Sequence, residues 1–305
     1  MELKHTAKRE GRLSSFLKEE LSMSTGLINR LKWQDKLFVN GTPQHTDYPV
    51  KPEDVITVDL QEPAPDYPAE EGPLDILYED DHILAVDKPA GMLIHPSRAQ
   101  FGGTLANRVL GYYQKKGEQA LFHPLTRLDR DTFGIVLVAK NSHIHALLSA
   151  GHVQKTYEAL VYGQVAEDRV IDAPIARLPL PSLLRQIDPA GKPSVTDLQV
   201  IERMEGCTRV ALTPVTGRTH QLRLHCAHIG HPILGDPQYN TPQSKAFSDT
   251  LGLSYQQLCA KTLAFEHPIT GENMLLQSNM KPTVKFQFIG QMPEMQNAEC
   301  KVQND

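Results

Sequence analysis

The sequence predicts an α+β protein in two parts: a large mixed, mainly antiparallel central sheet flanked by helices, and a small N-terminal α+β module. Three observations carry this. Strand-like apolar runs follow one another across short turns with few helical patterns between them, which favours an antiparallel or mixed sheet over a doubly wound one. Four prolines, Pro63, Pro65, Pro68 and Pro73, interleave with acidic residues and mark 61–73 as an extended linker. Apolar residues make up 40% of the 305-residue chain, enough for a core on each side of that linker.

In the N-terminal part, residues 1–60, Leu13, Phe16, Leu17 and Leu21 fall at helical spacing. Ser24 or Thr25 is placed to cap a second helix through Leu27, Ile28 and Leu31. A strand from Lys36 then enters an Asn40-Gly41 turn, and Val55–Leu60 reads as another strand. The body, 74–290, opens with strands at Asp75–Asp80 and Ile83–Asp87. Further strands are expected at Gly134–Lys140, Thr156–Tyr162, Val195–Ile201, Arg209–Thr213 and Val284–Ile289. Helices are expected at Leu105–Tyr113, Ser142–Ala150 and His220–Ile229, and the polar composition of 291–305 predicts a disordered tail.

Several classes of function are excluded or thinned by composition. The longest apolar run, Phe133–Ala139, is far short of the ~20 residues that span a bilayer, and the N-terminus has no apolar leader, so a cytoplasmic protein without a membrane partner is expected. Cys207, Cys226, Cys259 and Cys300 lie far apart without a C-x-x-C, which predicts reduced thiols. The net charge is −5, yet eight acids and no Lys or Arg lie between Glu62 and Asp81, so the rest of the chain has a small basic excess. Phosphate-loop, dinucleotide, nucleophile-elbow and zincin motifs are all lacking. His220, His225, His228 and His231 are close in sequence, but without carboxylate or Cys partners at ligand spacing no metal or other cofactor is expected. Asn40-Gly-Thr42 matches a glycosylation sequon, and a hairpin turn explains it better.

One segment is different in kind. Arg127-Leu-Asp-Arg-Asp-Thr-Phe-Gly134 packs charges of both signs immediately before the most apolar strand, where burial and neighbouring cations fix a carboxylate's ionisation. Read with Lys155-Thr-Tyr-Glu-Ala-Leu-Val161 and Thr216-Gly-Arg-Thr-His-Gln-Leu-Arg223, it resembles the RluA/RluD-type pseudouridine synthases. Val86-Asp-Lys-Pro-Ala-Gly91, His95-Pro and Gly230-His-Pro-Ile-Leu-Gly-Asp236 extend the likeness in the right order from about Leu74 to Ile289. The N-terminal part is similar to the αL-type RNA-binding module that this family often carries.

The resemblance implies an RNA-modifying isomerase that needs no cofactor and takes RNA, ribosomal or transfer, as its partner. It implies Asp129 as catalytic carboxylate, Tyr157 as active-site tyrosine and Arg223 as the arginine paired with Asp129. Arg127, Arg130, Arg218 and His220 are implied as substrate or RNA contacts, and a monomer is expected. Thr126 and Phe133 stand where the family usually has His and Ser; neither is a group the chemistry requires. Such chemistry breaks the N1–C1′ bond of uridine, turns the base and joins C5 to C1′. An ionised carboxylate serves as nucleophile or as base, and an arginine offsets the desolvation that would otherwise protonate it. The competing reading is a non-catalytic RNA-binding or ribosome-assembly factor on the same scaffold.

Overall fold

A computed structural model describes residues 2–179, 182 and 184–284 of the chain. The N-terminal part begins with β1 (Glu2–Thr6) and β2 (Gly11–Arg12). Leu13, Phe16 and Leu17 form the buried face of α1 (Leu13–Glu19), and Ser24 caps α2 (Thr25–Trp33) by accepting the Leu27 amide at 3.2 Å. Four short strands follow: β3 (Leu37–Val39), β4 (Thr42–Pro43), β5 (Pro49–Val50) and β6 (Val55–Asp59). Asn40 and Gly41 both have positive φ, the geometry of the tight hairpin turn, and the Asn40 side chain is consumed within it by Asp54 and the Val55 amide. The sheet order is β1-β6-β3-β4, closed over Phe16, Leu17, Ile28, Leu31 and Ile56.

Residues 61–73 contain no helix or strand, as their prolines dictate, yet they are strapped down rather than loose. The Glu62 carboxylate accepts the Ser142 amide at 2.7 Å, the Glu70 amide donates to the Asn107 carbonyl, and the Asn107 side chain donates to the Pro68 carbonyl. The Glu70 carbonyl runs so close to a helix that a Cβ at Gly111 would stand 2.2 Å from it.

The body continues with β7 (Asp75–Glu79), β8 (Ile83–Lys88), α3 (Leu105–Lys116), β9 (His123–Pro124), β10 (Phe133–Ala139), α4 (Ser142–Ala150) and β11 (Val153–Tyr162). Then come β12 (Arg169–Asp172), β13 (Ile175–Arg177), β14 (Arg185–Ile187), β15 (Val195–Met204), β16 (Cys207–Pro214), α5 (Gln221–His228), α6 (Pro242–Thr250), β17 (Leu258–Glu266) and β18 (Asn273–Gln277). The main sheet is ordered β12-β15-β16-β11-β17-β10-β8-β7, with β18 on β17 and β9 on β10. All pairings are antiparallel except β10 with β17, where Phe133 and Gly134 meet Cys259 and Ala260 in parallel. The apolar stripe of α3 covers one face beside β8 and β10, α4 covers the other, and Leu222 and Cys226 of α5 pack over β11, β15 and β16.

The mainly antiparallel α+β architecture is the one the sequence predicts. The helices expected from Leu105, Ser142 and His220 onward are present, within a few residues at their ends. Strands β1, β12, β13, β14, β17 and β18 and helix α6 are among the elements that the sequence does not predict. Residues 258–266 place Lys261 and Thr262 mid-strand between apolar runs, so strict alternation is missing, and the buried side chains of α6 are two serines rather than an apolar stripe. Beyond Val284, the last expected strand and the tail at 291–305 lie outside the described residues.

Candidate active site

The loop after β9 delivers Asp129 and is fixed at several points along its length. Buried Thr126 accepts the Leu137 amide on its hydroxyl at 3.2 Å, Thr132 donates its amide to the Asp129 carbonyl, and the Gln256 side chain holds the Thr132 hydroxyl. Lys88, fully buried, spends its ammonium on three carbonyls, those of Pro89, Met92 and Arg130, at 3.0, 2.8 and 2.9 Å. Burial draws its pKa down to about 8 against the pull of Asp131 and Asp129. The loop ends at Gly134, φ 105°, where a Cβ would lie 2.4 Å from the Ala260 carbonyl; only glycine allows β10 to meet β17 there.

Across a cleft of about 520 Å³ stands α5. Its entry is set by Gln221, whose side chain accepts the Thr216 hydroxyl and the Arg218 amide and donates to the Val195 carbonyl and the Thr196 hydroxyl. Arg223 is the hub. Its Nη1 donates to Asp129 Oδ2 at 2.9 Å, while Nε and Nη2 clamp Asp236 at 2.7 and 2.8 Å and Nη2 also reaches Gln238. The guanidinium lies 5.1 Å from the centre of the Tyr239 ring. Side-chain exposure grades from 0% at Asp236 through 6% at Arg223 to 33% at Asp129. Burial works against the arginine's charge, but the Asp236 and Asp129 carboxylates outweigh it and raise its pKa.

Tyr157 projects from β11 at a β-bulge between Thr156 and Tyr157 and lines the same cleft. Burial, with the Asp129 charge adding to it, pushes its phenol up to about 12, so the hydroxyl keeps its proton. Arg127, Arg218 and His220 also line the cleft, and His220 Nε2 is 3.8 Å from Asp129 Oδ2. Arg130 does not line it: its guanidinium is held by the adjacent Asp131 at 3.0 and 3.1 Å. Of the seven site residues that the resemblance implies, the structure thus brings together all but Arg130 in the cleft. A groove of about 820 Å³ between α4 and the β17–β18 hairpin is larger but holds no carboxylate–arginine pair among its lining residues.

The histidine cluster disperses into separate duties. His225 is bonded to Thr196 and the Ala173 carbonyl, and His231 to the Tyr162 carbonyl, while His220 faces the cleft. Among the described residues no three His, Cys, Asp or Glu side chains converge as a metal site. Asp236, Tyr239, Gln221 and Lys88 were not assigned roles from sequence. Asp236 and Lys88 lie within segments that carry the resemblance, but nothing local in the chain says that the one will clamp Arg223 or the other the Arg130 carbonyl.

Comparison with known proteins decides the family. Residues 82–228 match the model for RNA pseudouridylate synthase. The chain is 38% identical over 263 residues to the uncharacterized RNA pseudouridine synthase YjbO of Bacillus subtilis, covering 84% of this chain and 90% of the relative. The chain belongs to the RNA pseudouridine synthase family. It is 34% identical to ribosomal large subunit pseudouridine synthase C of Vibrio parahaemolyticus, with 92% of each covered. Among solved structures, human RNA pseudouridylate synthase domain containing 1 matches with a TM-score of 0.58 and 26% identity, over 73% of this chain and 94% of that one. The enzyme is accordingly a pseudouridine synthase, an isomerase of uridine in RNA, and the non-catalytic alternative is not favoured. Thr126 and Phe133, where the chain departs from the pattern stated above, are both buried: one bonds β10, the other packs edge-on to Tyr255.

Proposed function

We propose that this enzyme converts uridine to pseudouridine in ribosomal RNA, with Asp129 as the reacting carboxylate, Arg223 as its counter-charge and Tyr157 as the wall for the base. The observation that carries the assignment is the 2.9 Å bond between a nearly buried arginine and the carboxylate that stays open to the cleft. An uncompensated carboxylate entering a site that excludes water would take up a proton; with Arg223 beside it, it stays available to attack C1′ or the ring, or to remove a proton. Tyr157 offers a ring face to the loosened uracil and a neutral hydroxyl near C5. The uridine must leave its stack to reach these groups, and Arg127, exposed at the cleft, fits the space it vacates. Ribosomal RNA as target rests on the names of the relatives, puts the enzyme's work in the cytoplasm, and is tested by mapping pseudouridines in cells with and without the gene.

The N-terminal part, 1–60, is read as an RNA-binding module joined by the 61–73 strap to a catalytic domain from 74 onward, the whole acting as a monomer. Arg9 is not available for RNA: it is held by Glu19 and Glu20 and lies over Phe16. Trp33 and Lys32 suit the task better. Trp33 is the one tryptophan of the chain, is 83% exposed, and has the Lys32 ammonium 5.8 Å from its ring centre. An aromatic face beside a cation is what an unpaired base and its phosphate require. Its fluorescence reports RNA contact directly.

The decisive test is Asp129→Asn. It preserves shape and removes charge, so folding and RNA affinity should stay near wild type while pseudouridine formation falls below detection. Substantial turnover by the purified variant would refute the assignment.

A further inference from the structure

His220 is the residue on which α5 begins, and its backbone is left-handed, φ 59°. That conformation is uncommon outside glycine, so something must hold the ring where it is. Its two nitrogens face different partners: Nε2 is 3.8 Å from Asp129 Oδ2, and Nδ1 is 2.9 Å from the Tyr239 hydroxyl. Tyr239 is buried, and its oxygen accepts the Arg185 amide at 2.9 Å. The phenolic hydrogen therefore points elsewhere, and among the described residues His220 Nδ1 is the acceptor within reach. A nitrogen that accepts carries a lone pair, so the neutral ring bears its hydrogen on Nε2, the nitrogen turned to Asp129. Burial favours the neutral ring; the Arg223 and Arg185 charges act in the same direction, and Asp129 and Asp236 oppose.

The same carboxylate oxygen, Oδ2, is engaged by Arg223 Nη1, whereas Asp129 Oδ1 has no hydrogen-bond partner among the described residues. We propose that His220 is a positioning residue for Asp129: its Nε2–H, kept in that tautomer by Tyr239, closes on Oδ2 beside Arg223 and leaves Oδ1 as the oxygen that meets the uridine. The inference rests on Asp129 being the reacting carboxylate. A gap of 3.8 Å is that of a contact which tightens once substrate fills the cleft, as catalytic hydrogen bonds commonly do. Tyr239 thereby acts twice, as a ring against Arg223 and as the hydroxyl that sets the histidine.

The experiment has two arms on the full-length protein. Nitrogen NMR of histidine-labelled enzyme, with the His220 signals identified by their loss in His220→Gln, should show a neutral ring protonated on Nε2 at neutral pH. Tyr239→Phe should move the hydrogen to Nδ1 or protonate the ring. A wild-type ring protonated on Nδ1 overturns the proposal. In the kinetic arm, Gln places an amide donor near the position of Nε2 and Asn places one near Nδ1, while Asn tolerates the left-handed backbone better. His220→Asn should thus be at least as thermostable as His220→Gln yet have a kcat lower by up to about a hundredfold at similar KM, the scale of a misplaced reacting group. Equal or greater activity in the Asn variant also overturns it. Should Asp129→Asn prove active, the catalytic reading fails while the tautomer result still stands, so the two failures are distinguishable.

Discussion

Arg223 spends two of its three nitrogens on Asp236 and one on Asp129, so its replacement does more than alter the reacting carboxylate. Arg223→Leu strands Asp236, whose side chain has no exposure, and breaking such a buried pair costs about 3–5 kcal/mol. Calorimetry should show a large fall in Tm, with activity lost. Arg223→Lys keeps the charge but not the planar fork; it should melt closer to wild type and still turn over slowly. Equal melting of all three proteins would contradict the clamp. At Tyr157 the raised pKa, about 12, favours the protonated phenol, and the sign follows: the group stays predominantly neutral until the pH approaches that value. The alkaline side of the rate profile should carry no inflection from it below about pH 11. Tyr157→Phe retains the ring face and should lower kcat by roughly a hundredfold if the hydroxyl moves a proton. Asp129, Tyr157 and Arg223 were legible in the sequence because each sits inside a long contiguous motif. Asp236 and Tyr239 acquire their roles only through bonds that close in space.

The strap shows what element-level reading captures and misses. Its prolines told correctly that 61–73 forms neither helix nor strand, but composition says nothing of tertiary bonds, and the segment turns out to be tied to α3 and α4. Glu62 is one of these ties. Burial opposes its charge, yet the His123 ring 3.5 Å away and Ser142, whose amide bonds it at 2.7 Å, prevail and hold its pKa down to about 2. A depressed carboxylate contributes stability that is complete above its unfolded pKa of 4.5 and disappears as pH falls through about 2. The shift corresponds to about 3 kcal/mol at most. Denaturant melts of Glu62→Gln should therefore show a deficit at pH 7 that shrinks steadily below pH 4.5; a deficit constant with pH would mean shape rather than charge. Strand β17 escaped notice for a related reason. Its burial is decided by β10, β11 and β18 on either side, not by its own alternation.

At the scale of the molecule, hydrogen bonds between the N-terminal part and the body outside the strap are few among the described residues. The Arg30 guanidinium reaches the Ser142 hydroxyl at 3.3 Å, and buried His143 lies beside the Leu21 backbone. The carboxylate, tyrosine and arginine all lie beyond residue 73, so deletion of 1–60 should leave a folded, active body. RNA affinity should fall and its salt dependence flatten as phosphate contacts are lost. An insoluble truncated body would show that the two parts share a core after all.

The place of β17 has a consequence in time. It enters the sheet between β10 and β11, two strands made about a hundred residues earlier, and without it Gly134 keeps Lys88 of β8 on one side but has no partner on the other. A chain still on the ribosome can form α3 and the β8–β10 pair from near neighbours, but it cannot close the sheet or steady Asp129 until residues near Leu258 have emerged. Competence arrives only once β17 has emerged, so a nascent enzyme of this kind leaves RNA within its reach unmodified until that strand is made.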